Sequence, residues 1–120
     1  MPHDANRDIL KIKDVLNAIR LIHSFVENEH LPSFIKSDLV QSAVIRQFEI
    51  IGEAGSKISQ TTQSAFPDVP WSSIKAFRNL LIHEYFKVDA AEVWATIKND
   101  LPGLREQAEE IFIFLQNNQA

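Results

Sequence analysis

Arg78, Asn79, His83 and Tyr85 stand within eight consecutive positions, in the segment Arg78-Asn79-Leu80-Leu81-Ile82-His83-Glu84-Tyr85. A planar guanidinium can hold a phosphate and the charge that develops on it. An imidazole can take a proton from a ribose hydroxyl or give one to a leaving oxygen. Arginine, histidine and a polar amide therefore form a set suited to a phosphodiester, and this chemistry calls for no metal or other cofactor. The chain has no cysteine, which removes thiol nucleophiles, thiolate metal sites and disulfides, and no strong metal-ligand spacing is present.

Helical periodicity sets what these residues can do together. Ile74, Arg78, Leu81 and Tyr85 recur in steps of four, three and four and share one helix face, so a guanidinium sits on a line that otherwise packs. Burying it unpaired would be costly, so it needs a carboxylate across the bundle or a pocket that admits an anion. Glu49 and Glu53, one turn apart on an earlier helix, are the candidate carboxylates for orienting Arg78, although Glu53 can equally pair with Lys57 along its own helix. Asn79 and His83 share a neighbouring face. Arg78 and His83 are about 140° apart on an ideal helix, so their convergence needs the long reach of arginine, a helix that loosens near His83, or a second subunit. A purely structural reading stands beside the chemical one: Arg78 salt-bridged to a carboxylate, and His83 at a helix C-terminus where cations are favoured. His23 lies on an apolar stripe and reads as a packed histidine, while His3 and His30 fall at an end and in a turn. Trp71 and Trp94 read as core or interface aromatics rather than as base-stacking platforms.

The elements that must position this segment are helices. Ile9, Ile12, Leu16, Ile19, His23 and Val26 alternate steps of three and four, predicting a helix over about residues 7–29 that ends at His30-Leu31-Pro32-Ser33. Val44, Phe48, Ile51, Gly55 and Ile58 predict a second helix, capped by Ser37 or Asp38, with Gly55 on its packing line. The polar stretch 60–70, with Pro67 and Pro70, reads as the longest connection. Trp71 opens the motif helix, Asp89 and Glu92 have capping-box spacing, and Pro102 suits the first turn of a last helix carrying Leu101, Leu104, Ala108, Ile111 and Leu115. The expectation is an all-α bundle of about five helices in a single domain, residues 1–120. The run from Ile111 to Leu115 is apolar on every side, so either the last helix is central or its far face meets a second copy in a homodimer.

Composition narrows the function classes. Lys plus Arg number 12 against 16 Asp plus Glu, and the deficit lies wholly in the first and last thirty residues. The net charge of −4 argues against indiscriminate coating of nucleic acid, and no DNA binding is expected. It leaves room for a local pocket where Arg78, Lys75 and Lys87 meet a phosphate. The longest apolar run falls far short of the roughly 20 residues that span a bilayer. With no signal-peptide pattern and no cysteine, a cytoplasmic location and no membrane partner are expected.

Beyond the motif, Ile45-Arg46-Gln47-Phe48-Glu49-Ile50-Ile51-Gly52-Glu53-Ala54, Val69-Pro70-Trp71, residues 78–86, and Val93-Trp94 through Asp100-Leu101-Pro102 resemble, in order, the characteristic segments of the HepT-like toxins of the HEPN superfamily. The resemblance covers roughly residues 7–115. It implies a HEPN-type helical bundle and a metal-independent endoribonuclease of a toxin–antitoxin system, with Arg78 and His83 catalytic and Asn79 the polar residue beside the arginine. The implied reaction is attack by a ribose 2′ hydroxyl on the adjacent phosphate, leaving a cyclic phosphate and a 5′ hydroxyl. It also implies a dimer whose two motifs face one cleft, and a cognate MntA-type minimal nucleotidyltransferase antitoxin that transfers AMP onto Tyr85. The alternative within the same superfamily is a non-catalytic helical module that binds nucleotide or a partner protein.

Overall fold

A computed structural model describes residues 2–84 and 87–118, with side chains from residue 4 onward. Among the described residues the chain forms seven helices: α1 Pro2–Val26, α2 Leu31–Lys36, α3 Asp38–Ser56, α4 Gln60–Ala65, α5 Trp71–His83, α6 Ala90–Asn99 and α7 Leu101–Asn117. All-α is therefore the fold class, with two short helices more than the periodicity suggested. No helix among the described residues is long and apolar enough to cross a membrane.

The two additions arise where local capping outweighs a polar or proline-bearing sequence. Pro32 falls in the first turn of α2, where its missing N–H costs nothing, and the buried Phe34 anchors the helix. The segment expected to end α1 thus starts a new helix, and α1 itself stops at Val26. In the stretch read as a connection, the Ser59 hydroxyl accepts from the Thr62 N–H at 3.4 Å and starts α4. Elsewhere the caps are those expected: Ser37 Oγ accepts from Val40 N–H at 3.1 Å, and Asp89 Oδ1 from Ala91 N–H at 2.9 Å.

Helix α1 buries Ile9, Ile12, Val15, Ala18, Ile19, Ile22 and Val26, so its inner face is centred one residue to the side of the expected stripe, and Leu16 and His23 lie at its edge. It packs along α3 on one side and α7 on the other. α3 in turn carries α5, and α6 lies on α7, with α2 bridging α3 and α6. The core is continuous through Val44, Phe48 and Ile51 of α3, Leu81 of α5, Val93 and Ile97 of α6, and Leu101, Ala108, Ile111 and Leu115 of α7. Both tryptophans serve packing. Trp71 Nε1 donates to the Phe66 carbonyl at 3.0 Å, and the Trp94 ring lies 5.3 Å from that of Phe34.

One polar group is built into this core. Asp8 is 2% exposed and accepts three hydrogen bonds, from Ser59 N–H at 2.9 Å, Ser59 Oγ at 2.6 Å and Thr62 Oγ1 at 2.7 Å. A buried carboxylate satisfied this way ties the start of α1 to the turn between α3 and α4, and so fixes the end of α3 nearest the motif. The apolar run in α7 is split by the fold. Ile111 and Leu115 are buried and Phe112 packs on the core. Phe114 meets Phe66 edge-on, while Ile113 stays 57% exposed.

Candidate functional site

The site forms where α5 crosses α3. Gly52 is buried at the crossing, and a Cβ added there would overlap Cβ and Cγ of Arg78 and stand 3.3 Å from the Ile74 carbonyl. The lack of a side chain is what lets α5 lie this close. From that contact the arginine runs along α3. Its Nη2 donates to Glu53 Oε2 at 2.7 Å and its Nη1 to Asn79 Oδ1 at 2.9 Å, while Nε is buried with no hydrogen-bond partner. The side chain is 28% exposed, so part of it is open to solvent.

Glu53 carries two cations. Its Oε1 meets Lys57 Nζ at 3.0 Å, one turn along α3, while Oε2 holds Arg78. Lys57 and then Arg78, by hydrogen bonding and charge, keep the Glu53 carboxyl below its ordinary range. Glu49, the other candidate, turns instead towards Arg46 at 3.9 Å. A groove of about 290 Å³ opens beside the ion pair, its lining including the cations Lys11, Arg46 and Lys57, the carboxylates Asp14, Glu49 and Glu53, and Ile82.

His83 is the last residue of α5 and is exposed; Glu84 closes the helix by donating its N–H to the Leu80 carbonyl at 2.9 Å. The fold therefore brings Arg78, Asn79 and Glu53 together and leaves His83 exposed at the helix end. Lys75 and Lys87 are also exposed. Tyr85 lies outside the described residues. His23, read as a packed histidine, is half-buried on α1, its Nε2 buried without a hydrogen-bond partner.

Two residues at or supporting the site, Gly52 and Asp8, are not singled out by sequence reasoning. Gly52 lies three residues before Gly55, and that spacing of small residues on one helix face is the signal available for a close crossing. The two partners weighed for Glu53, Arg78 and Lys57, prove not to exclude each other, since each takes one oxygen of the same carboxylate. Asp8 gave no signal at all, because its partners lie 51 and 54 residues away.

This all-α bundle is of the HEPN type. The ribonuclease HepT-like family model matches residues 15–111, and the chain belongs to that family. It is 37% identical over 100 residues to the "Probable ribonuclease HepT" of Thermococcus cleftensis, covering 83% of this chain and 91% of that one. It is 35% identical over 96 residues to the "Putative RNase MJ1380" of Methanocaldococcus jannaschii, covering 80% and 88%. No solved structure matches the chain.

Proposed function

We propose that this chain is the endoribonuclease toxin of a toxin–antitoxin pair, and that Arg78, Asn79 and His83 carry the chemistry. The observation that carries the reading is the part-exposed Arg78 side chain, its guanidinium bonded to Glu53 and Asn79. The ribose 2′ oxygen attacks the adjacent phosphorus and loses its proton to a base as the new P–O bond forms. The P–O5′ bond breaks and the 5′ oxygen takes up a proton, leaving a 2′,3′-cyclic phosphate and a 5′ hydroxyl. His83 serves as one of the two proton-transfer groups. Arg78 holds the non-bridging oxygens, whose charge grows in the transition state. Membership of a ribonuclease family and the printed names of the relatives support RNA as the substrate.

The working form is a homodimer in which two copies of the motif line one cleft. Support comes from Leu80 and Ile82, 37% and 43% exposed beside His83, which are apolar surface that a second copy would cover. Tyr85 is the acceptor of AMP from a cognate MntA-type nucleotidyltransferase, in the cytoplasm. The added phosphate competes for Arg78 and the added bulk fills the cleft.

The test is cleavage of RNA by the unmodified protein in the presence of a chelator, with the modification state checked by intact mass. Wild type cuts, and Arg78→Ala and His83→Ala, though folded, do not. A second reading draws on the same ion pair: with Glu53 already on Arg78, the motif would bind nucleotide or a partner without turnover. Binding lost in Arg78→Ala with no product under any condition would favour it.

A further inference from the structure

The bare backbone at Gly52 does more than allow two helices to touch. The two nearest atoms that a Cβ placed there would meet both belong to the side chain of Arg78. The neighbouring residue in sequence, Glu53, receives the other end of that same side chain. Two consecutive residues of α3 therefore grip one arginine at both ends: Gly52 seats its Cβ and Cγ, and Glu53 takes Nη2. With the stem pressed into α3, Nε is sealed from solvent and cannot take part in a side-on fork with an anion. With Nε buried, the Nη groups are the part of the guanidinium left to meet an anion.

We propose that Gly52 is the positioning residue for Arg78, a socket that sets the depth of its stem and thereby presents the guanidinium end-on to a phosphate. This rests on the ribonuclease reading for its consequence in catalysis, but not for the socket itself. Any side chain at position 52 has to push α5 away or swing Arg78 outward. Either movement separates Arg78 from Glu53 and misplaces the cation relative to His83. Gly55, one turn further along the same crossing, has no such role: a Cβ there meets only the Ile74 Cγ2 methyl at 3.3 Å, which can shift.

The experiment compares Gly52→Ala with Gly55→Ala in the full chain. The first readout is the titration of the Glu53 carboxyl by NMR, which requires no activity. Gly52→Ala is expected to move it upward as Arg78 departs, leaving the part due to Lys57, while Gly55→Ala leaves it unchanged. The second is RNA cleavage, where kcat is expected to fall at least tenfold in Gly52→Ala and to stay at the wild-type level in Gly55→Ala. Wild-type titration of Glu53 in folded Gly52→Ala overturns the socket. A shifted titration in a protein that cuts no RNA, wild type included, sinks the ribonuclease reading and leaves the socket standing.

Should Gly52→Ala fail to fold, thermal melting of the pair with Arg78→Gly decides. Removing Cβ and Cγ of residue 78 clears both overlapping atoms and leaves the Ile74 carbonyl at 3.3 Å as the nearest remaining neighbour, so Gly52→Ala is expected to fold in the Arg78→Gly background and to change its melting temperature little. Failure to fold in both backgrounds overturns the proposal.

Discussion

Glu53 Oε2 and Arg78 Nη2 stand 2.7 Å apart, joining α3 to α5 beside the bare backbone of Gly52, and Lys57 holds the other oxygen of the same carboxylate. This three-member chain determines how the site responds to pH and to substitution.

The pH dependence has a definite sign. Because Lys57 and Arg78 hold the Glu53 carboxyl below its ordinary range, the folded state holds that proton less tightly than the unfolded chain does. The pair therefore stabilises the fold fully above the ordinary carboxylate range, and the contribution is lost as pH falls through the lowered folded-state value. Melting temperatures of wild type and Glu53→Gln are expected to differ near neutrality and to converge in acid. A gap that widens on acidification would contradict this linkage.

Substitution at Arg78 separates charge from geometry. Arg78→Lys retains a cation but cannot bond Glu53 and Asn79 from one planar group, and kcat for RNA cleavage is expected to fall by about 10²-fold with little change in KM. His83→Ala is expected to reduce kcat by about 10²–10⁴-fold, the range for a lost proton-transfer group. Steady-state kinetics on one defined RNA check both. Equal activity of lysine and arginine at position 78 would show that charge alone suffices.

Asp8 lies far along the chain from the motif and acts on stability. Asp8→Ala leaves Ser59 and Thr62 donors without their acceptor, at an expected cost of about 2–4 kcal/mol in urea unfolding. The activity of the molecules that remain folded should be unchanged at low temperature. Loss of activity without loss of stability would assign Asp8 a role in the site.

Phe34 is fully buried against Trp94. Phe34→Ala is expected to cost about 3–5 kcal/mol from lost transfer energy and the cavity left behind. Unfolding followed by tryptophan fluorescence measures that cost. A loss under about 1 kcal/mol would mean that the α2–α6 contact closes over the gap.

For Tyr85, the intact mass after coexpression with a neighbouring nucleotidyltransferase is expected to rise by whole AMP units, and Tyr85→Phe to abolish the rise. Added mass that persists in Tyr85→Phe would locate the acceptor at another residue.

The sequence by itself determined the helical class, the motif helix and its Arg78, Asn79 and His83, because periodicity and capping act within a turn or two of the residue concerned. The caps at Ser37 and Asp89, and the apolar faces of α3 and α7, were legible for that reason. The short helices α2 and α4 were not. Six residues each carry too little periodicity, and both are stabilised by what they touch: Phe34 in the core for one, and Thr62 on Asp8 for the other.

Only the tertiary structure decided between Glu49 and Glu53 as the group facing Arg78. Both carboxylates lie one turn apart on the same helix, and no rule of spacing on α3 reveals where α5 crosses it. Gly52 fixes that place, since close approach of two backbones is possible only where a side chain is missing. The crossing then brings Glu53, the next residue along, within reach of the guanidinium, while Glu49, a turn earlier, pairs with Arg46.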